Sequence, residues 1–133
     1  MTSLHSGACL CGAVRFQIDG EFERFYLCHC DHCRKDTGSA HAANLFSSTA
    51  SLTWMSGQDK ATVYNLPGTR HTKCFCSICG SALPYATPRG IVAPAGSLGR
   101  EFSATPDAHI FAASRAHWDR QLENLPSFES LPS

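Results

Sequence analysis

The chain has 133 residues, 43% of them hydrophobic, enough to bury one core, and the whole length 1–133 reads as a single domain. Eleven basic residues balance eleven acidic ones and only 17% are charged, so no global field steers the chain toward nucleic acid or an anionic membrane. The opening "MTSLHSGACLCG" has neither a basic start nor an apolar run, and no stretch approaches the roughly 18 apolar residues of a membrane span, so a soluble, cytoplasmic protein is expected.

"AVRFQID" (13–19) places Val14, Phe16 and Ile18 on one face, the period-2 pattern of a half-buried strand. After the turn "DGE", "ERFYLC" (23–28) reads as the next strand. "RKDTGSA" (34–40) is polar and ends near Gly38, which predicts a short helix. "ANLFSS", "SLTWM" and "ATVYNL" are short β-like runs, split by "SGQDK" and closed by the turn "PG" at 67–68. "TKCFC", "ALPYA" and "GIVAPAG" continue the pattern, and "AHIFAAS" (108–114) is the last predicted strand. The segment 117–133, rich in Pro and Ser, reads as a loosely packed tail. The fold class predicted is mainly β, with one or two short helices at most and short strands held together by metal. Trp54 and Trp118 are expected in packing roles.

Eight cysteines need a reason in such a chain. A reducing compartment disfavours four disulfides, and the C-x-C and C-x-x-C spacings are those of metal chelates, zinc above all. The strongest single element is "CSICG": Cys76 and Cys79 form a zinc-knuckle turn, with Gly80 supplying the backbone freedom that it needs. Cys9 and Cys11 project to one side if "CLC" is extended, and the two pairs together make a four-thiolate structural site.

Cys28, Cys30 and Cys33 in "CHCDHCR" stand apart and can wrap one face of a zinc ion. Three ligands with an open fourth position distinguish catalytic zinc from structural zinc. Three thiolates also make zinc a weak activator of water and suit a sulfur ligand, so the implied chemistry is attack by a thiol. Cys74, two residues before the knuckle, is the candidate fourth ligand that would close this site. His29 and His32 are read as non-ligands. Arg34, Lys35, Arg70 and Lys73 are either solvated surface or cations that offset the thiolates and attract an anionic ligand.

"GACLCGAVRF", "YLCHCDHCRKDTGSA", "FCSICGSAL" and "HIFAASRAHW…LPSF" resemble, in order and from residue 7 to about 128, the glutathione-dependent formaldehyde-activating enzyme family, which includes centromere protein V. The resemblance implies a β-tent of small antiparallel sheets around two zinc ions per chain. It implies a structural zinc on Cys9, Cys11, Cys76 and Cys79, and a catalytic zinc on Cys28, Cys30 and Cys33. Cys74 departs from the family pattern, which carries another residue type before its "FC" pair. The family's namesake reaction joins glutathione and formaldehyde to give S-hydroxymethylglutathione, formally the reverse of a carbon–sulfur lyase.

The function expected is thus that of a zinc-dependent carbon–sulfur lyase-type enzyme, acting on adducts of glutathione or a similar thiol with a small carbonyl compound. Two rivals stand beside it. One is a binding module in which both zincs are structural, though neutral charge counts against nucleic acid. The other is a redox sensor that releases zinc when its thiols are oxidised.

Overall fold

The computed structural model of the chain describes residues 3–132. Its first sheet is built around β2 (Arg15–Asp19), which lies between β1 (Leu4–Ala8) and β5 (Ser51–Ser56), antiparallel to both. Alternation governs this strand. Phe16 and Ile18, with Val14 just before it, are fully buried, while Arg15 and Asp19 face solvent. Phe16 sits opposite Gly7 on β1, and a Cβ at Gly7 would lie 2.3 Å from the Phe16 ring, so only glycine lets the two strands meet here. On the other side Trp54 meets Phe16 edge-on, ring centroids 6.2 Å apart, which gives Trp54 the packing role expected of it.

The second sheet has five strands: β3 (Arg24–Cys28), β4 (Ala42–Ser47), β9 (Tyr85–Thr87), β10 (Gly90–Pro94) and β11 (Ala108–Ile110), in the order β11-β3-β4-β10-β9. The third joins β6 (Ala61–Asn65), β7 (Thr72–Cys76) and β8 (Ala82–Leu83). One core draws on all three: Phe16 and Ile18 from the first, Leu45, Ile91 and Ala93 from the second, and Cys74, Cys76 and Leu83 from the third. The fold is mainly β, in small antiparallel sheets, as the sequence led us to expect. Among the described residues β11 alone pairs parallel, to β3.

The one α-helix among the described residues, α1 (Asp31–Thr37), begins inside the cysteine cluster, three residues before the predicted segment. Cys30 is its N-cap, and its sulfur accepts the Cys33 N–H at 3.3 Å. It ends at Gly38, whose N–H returns to the Arg34 carbonyl at 2.8 Å.

Two expectations are corrected. The last strand stops at Ile110, because Phe111 turns left-handed at φ 54° and Ala112–Ser114 continue as a 3₁₀ turn. Trp118 is not a packing residue: it is 61% exposed. Beyond it only Asp119 is buried, and residues 120–132 are exposed. No helix among the described residues is long and apolar enough to cross a membrane.

Candidate metal centres

All eight cysteines are free thiols, and seven of them fall into two tight groups. In the first, the sulfurs of Cys9, Cys11, Cys76 and Cys79 all lie within 4.8 Å of one another. Cys9 and Cys11 converge for a reason other than strand alternation. The chain turns between Cys9 and Val14: the Cys9 N–H donates to the Val14 carbonyl at 3.0 Å, and the Val14 N–H donates to the Cys9 sulfur at 3.3 Å. The opposing pair sits on the turn that follows β7. The Cys76 N–H donates to the Ser81 carbonyl, and the Gly80 N–H donates to the Cys76 carbonyl at 2.7 Å. Gly80 adopts φ 76° there, the left-handed conformation that glycine takes without cost.

The donor set fits a tetrahedral soft metal. Four sulfurs about 2.3 Å from one ion stand about 3.8 Å apart; the Cys9–Cys11 and Cys11–Cys76 separations are 3.6 and 4.0 Å. As thiols alone the four share their ionisation unevenly. Cys79 is brought down to about 6, by the Cys11 N–H before other hydrogen bonds and against the effect of burial. Cys11 is pushed up to about 11: the Ala13 N–H favours its thiolate, but burial and the three neighbouring sulfurs outweigh it. Packed sulfurs cannot all carry charge unless a cation lies between them.

The second group joins Cys28 at the end of β3, Cys30 at the helix cap and Cys33 in the first turn of α1, again with all sulfurs within 4.8 Å. Burial raises both Cys28 and Cys33, and the neighbouring sulfurs raise Cys33 further. Cys30 moves the other way: burial opposes its thiolate, but the Cys33 N–H, the two neighbouring thiols and the His32 N–H together lower it. Both groups could hold a metal ion, and their all-sulfur donor sets are consistent with zinc.

Cys74, the candidate fourth ligand, belongs to neither group. Its side chain is 2% exposed in the apolar core, on a strand position flanked by Val63 and Leu83, and that burial raises its thiol. His32 is exposed on α1, with its ring 5.4 Å from that of His71. Of the cations, Lys73 is taken up by Asp36, bonding its carboxylate at 2.9 Å and its carbonyl at 2.8 Å, and His71 holds the other carboxylate oxygen at 2.8 Å. Arg34 reaches the Ser114 carbonyl at 3.4 Å. Lys35 and Arg70 are exposed and form no ion pair among the described residues.

Two features around the second group escape the sequence reading. Tyr85 has its phenol pushed up to about 12, by burial first and then by Asp36, Cys33 and Cys74. His29, between two of the clustered cysteines, is fully buried and turned inward. Its Nε2 lies 2.8 Å from His109 Nδ1, its Nδ1 lies 3.3 Å from Asp119 Oδ2, and its ring is 5.1 Å from that of His41. Burial, then the neighbouring His41, lowers its pKa and keeps the imidazole neutral. The "CHC" spacing marks His29 as odd, but its partners come from positions 12, 80 and 90 residues away and leave no local signal.

The family model described as "Glutathione-dependent formaldehyde-activating enzyme" matches residues 4–114. A Halomonas elongata protein named "Putative glutathione-dependent formaldehyde-activating enzyme" is 32% identical over 127 residues, covering 86% of this chain and 79% of that protein. A crystal structure of a Rhodobacter sphaeroides protein shares the fold, with a TM-score of 0.57 at 23% identity, over 78% of this chain and 98% of that one. The chain belongs to the glutathione-dependent formaldehyde-activating enzyme family.

Proposed function

We propose that the chain is a zinc-dependent enzyme of the carbon–sulfur lyase type, which joins a thiol such as glutathione to a small carbonyl compound such as formaldehyde. The observation that carries this reading is the difference between the two groups: four sulfurs converge at the first, three at the second, with Cys74 held in the core. Four thiolates complete a structural site, whereas three leave a place for a substrate. Cys30 is the least buried sulfur of the second group and marks the side from which a ligand would approach.

Zinc held by Cys28, Cys30 and Cys33 would supply an electrostatic sink that keeps a substrate thiol ionised at neutral pH. In the reaction the substrate sulfur forms a bond to the carbonyl carbon, the carbonyl π bond breaks, and the oxygen takes up the proton that the thiol gave up. Lys35 and Arg70, exposed and without carboxylate partners among the described residues, are the cations available to a substrate's carboxylates. The Tyr85 phenol stays protonated at neutral pH and can donate a hydrogen bond.

The experiment is zinc per chain in fresh protein before and after exposure to millimolar glutathione, with glutathione binding followed in parallel. The expected result is about two zincs at the start, then either loss of one or retention of both with saturable glutathione binding. Two zincs unmoved and no glutathione binding would make the second group a closed clasp and turn the reading toward a binding module.

A further inference from the structure

The second thiol group is backed by a buried polar network that its own ligands do not explain. His29 is 0% exposed and Asp119 3%, and between them they bring together an imidazole, a carboxylate and, through Arg115 Nε at 3.1 Å from Asp119 Oδ2, a guanidinium. Burying such groups is costly, and an apolar set of the same volume would stabilise the fold as well or better. What a hydrogen-bonded set supplies instead is a fixed orientation.

Its position says what is oriented. His29 is the middle residue of Cys28-His29-Cys30, so what holds its ring also holds the short loop that carries the two flanking sulfurs. Its backbone N–H donates to the Ile110 carbonyl at 3.0 Å, while its side chain meets His109 on β11 and Asp119 beyond it. His41, on the remaining side, immediately precedes Ala42, the partner of Cys28 in the sheet. Because a carboxylate only accepts, a proton on His29 Nδ1 suits Asp119, and Nε2 is then left to accept from His109 Nδ1. The Nδ1 contact is close but makes no aligned hydrogen bond, so it acts by charge more than by direction.

From this arrangement we infer that Asp119 is a positioning residue for the second metal centre: acting through His29, with His109 as the second clamp, it fixes the loop that presents Cys28 and Cys30. The C-terminal segment is thereby part of the centre, although it carries no ligand. The inference rests on the reading that the second group holds a metal. Partners that orient metal ligands from outside the coordination sphere are typically worth about 10- to 100-fold in metal affinity.

The test starts from zinc-loaded protein and withdraws metal with a chromophoric chelator, so that each site reports separately, with the cobalt-substituted protein's thiolate-to-metal absorption as a second readout. Asp119→Ala should release the second metal about 10- to 100-fold more readily and alter the cobalt band, with the first metal unmoved as the internal control for folding. Asp119→Asn, which keeps the size and the oxygen but removes the charge, should recover little of the loss. Trp118→Ala, one residue away and exposed, should match the wild type. In a cycle with His29→Phe, adding Asp119→Ala should cost nothing more. Wild-type protein that yields one metal per chain overturns the metal reading and the inference with it. Two metals in the wild type and an unchanged second site in Asp119→Ala overturn the inference alone. So does equal weakening of both sites, or an additive cycle.

Discussion

Cys28 and Cys33 hold their protons more firmly than an ordinary cysteine, because burial opposes the thiolate at both and packed sulfurs add to it at Cys33. Cys30, capping α1, gives its proton up more readily. A metal binds thiolates, so loading this group at neutral pH must expel the protons of Cys28 and Cys33. The sign follows: thiolate becomes scarcer as pH falls, so affinity falls with acid and rises with alkali, throughout the range below the raised pKa values. With at least these two protons released, apparent affinity should change by about 100-fold or more per pH unit. Calorimetric titration of zinc into the second site at pH 7, in two buffers of different ionisation heat, should show about two or more protons released. Release of none would mean that both thiols are already ionised.

The two groups differ in which elements they join. The first ties the turn between β1 and β2 to the end of β7, linking the first and third sheets across 65 residues of chain. A structural zinc in such a place contributes about 10 kcal/mol or more, as much as a whole domain's net stability. Cys76→Ser should therefore prevent stable folding. The second group ties β3 to the helix that follows it directly, and serine at position 30 can still cap that helix. Cys30→Ser should keep the fold and lose only the second metal. Metal content and thermal melting of the two variants check both statements, and a Cys30→Ser chain that unfolds would remove the distinction between the groups. Elements of this kind were legible in the sequence where the signal is local: the alternation of Val14, Phe16 and Ile18, the knuckle closed by Gly80, the sulfurs spaced by one or two residues. They were illegible where the cause is distant. The strand at 108–110 was legible, but its end at Ile110 and its parallel pairing to β3 were not, and Cys9 and Cys11 meet through a turn that the extended reading of "CLC" did not contain. Asp119 looks like any acid of a polar tail until the fold carries it to His29.

At the scale of the molecule, two hollows lie away from the thiols. Two open hollows of about 430 and 620 Å³ share Phe102, Ser103 and Ala104, and neither is lined by a cysteine. The second group lies beside α1, and the C-terminal segment reaches it through Asp119. That segment divides sharply at Asp119. Before it, Ala116 and Asp119 are buried; after it, Leu125, Phe128 and Leu131 are all more than half exposed. Exposed residues contribute little to stability, typically within about 0.5 kcal/mol each, so a chain ended after Arg120 should melt within about 3 °C of the whole protein and keep both metals. A chain ended after Ala116 loses Asp119 and its hold on His29, and should keep the first metal while surrendering the second about 10- to 100-fold more easily. Chelator titration of the two truncations side by side separates the cases. Equal metal retention in both would place the whole segment outside the centre, and loss in both would extend the centre into residues that the fold leaves exposed.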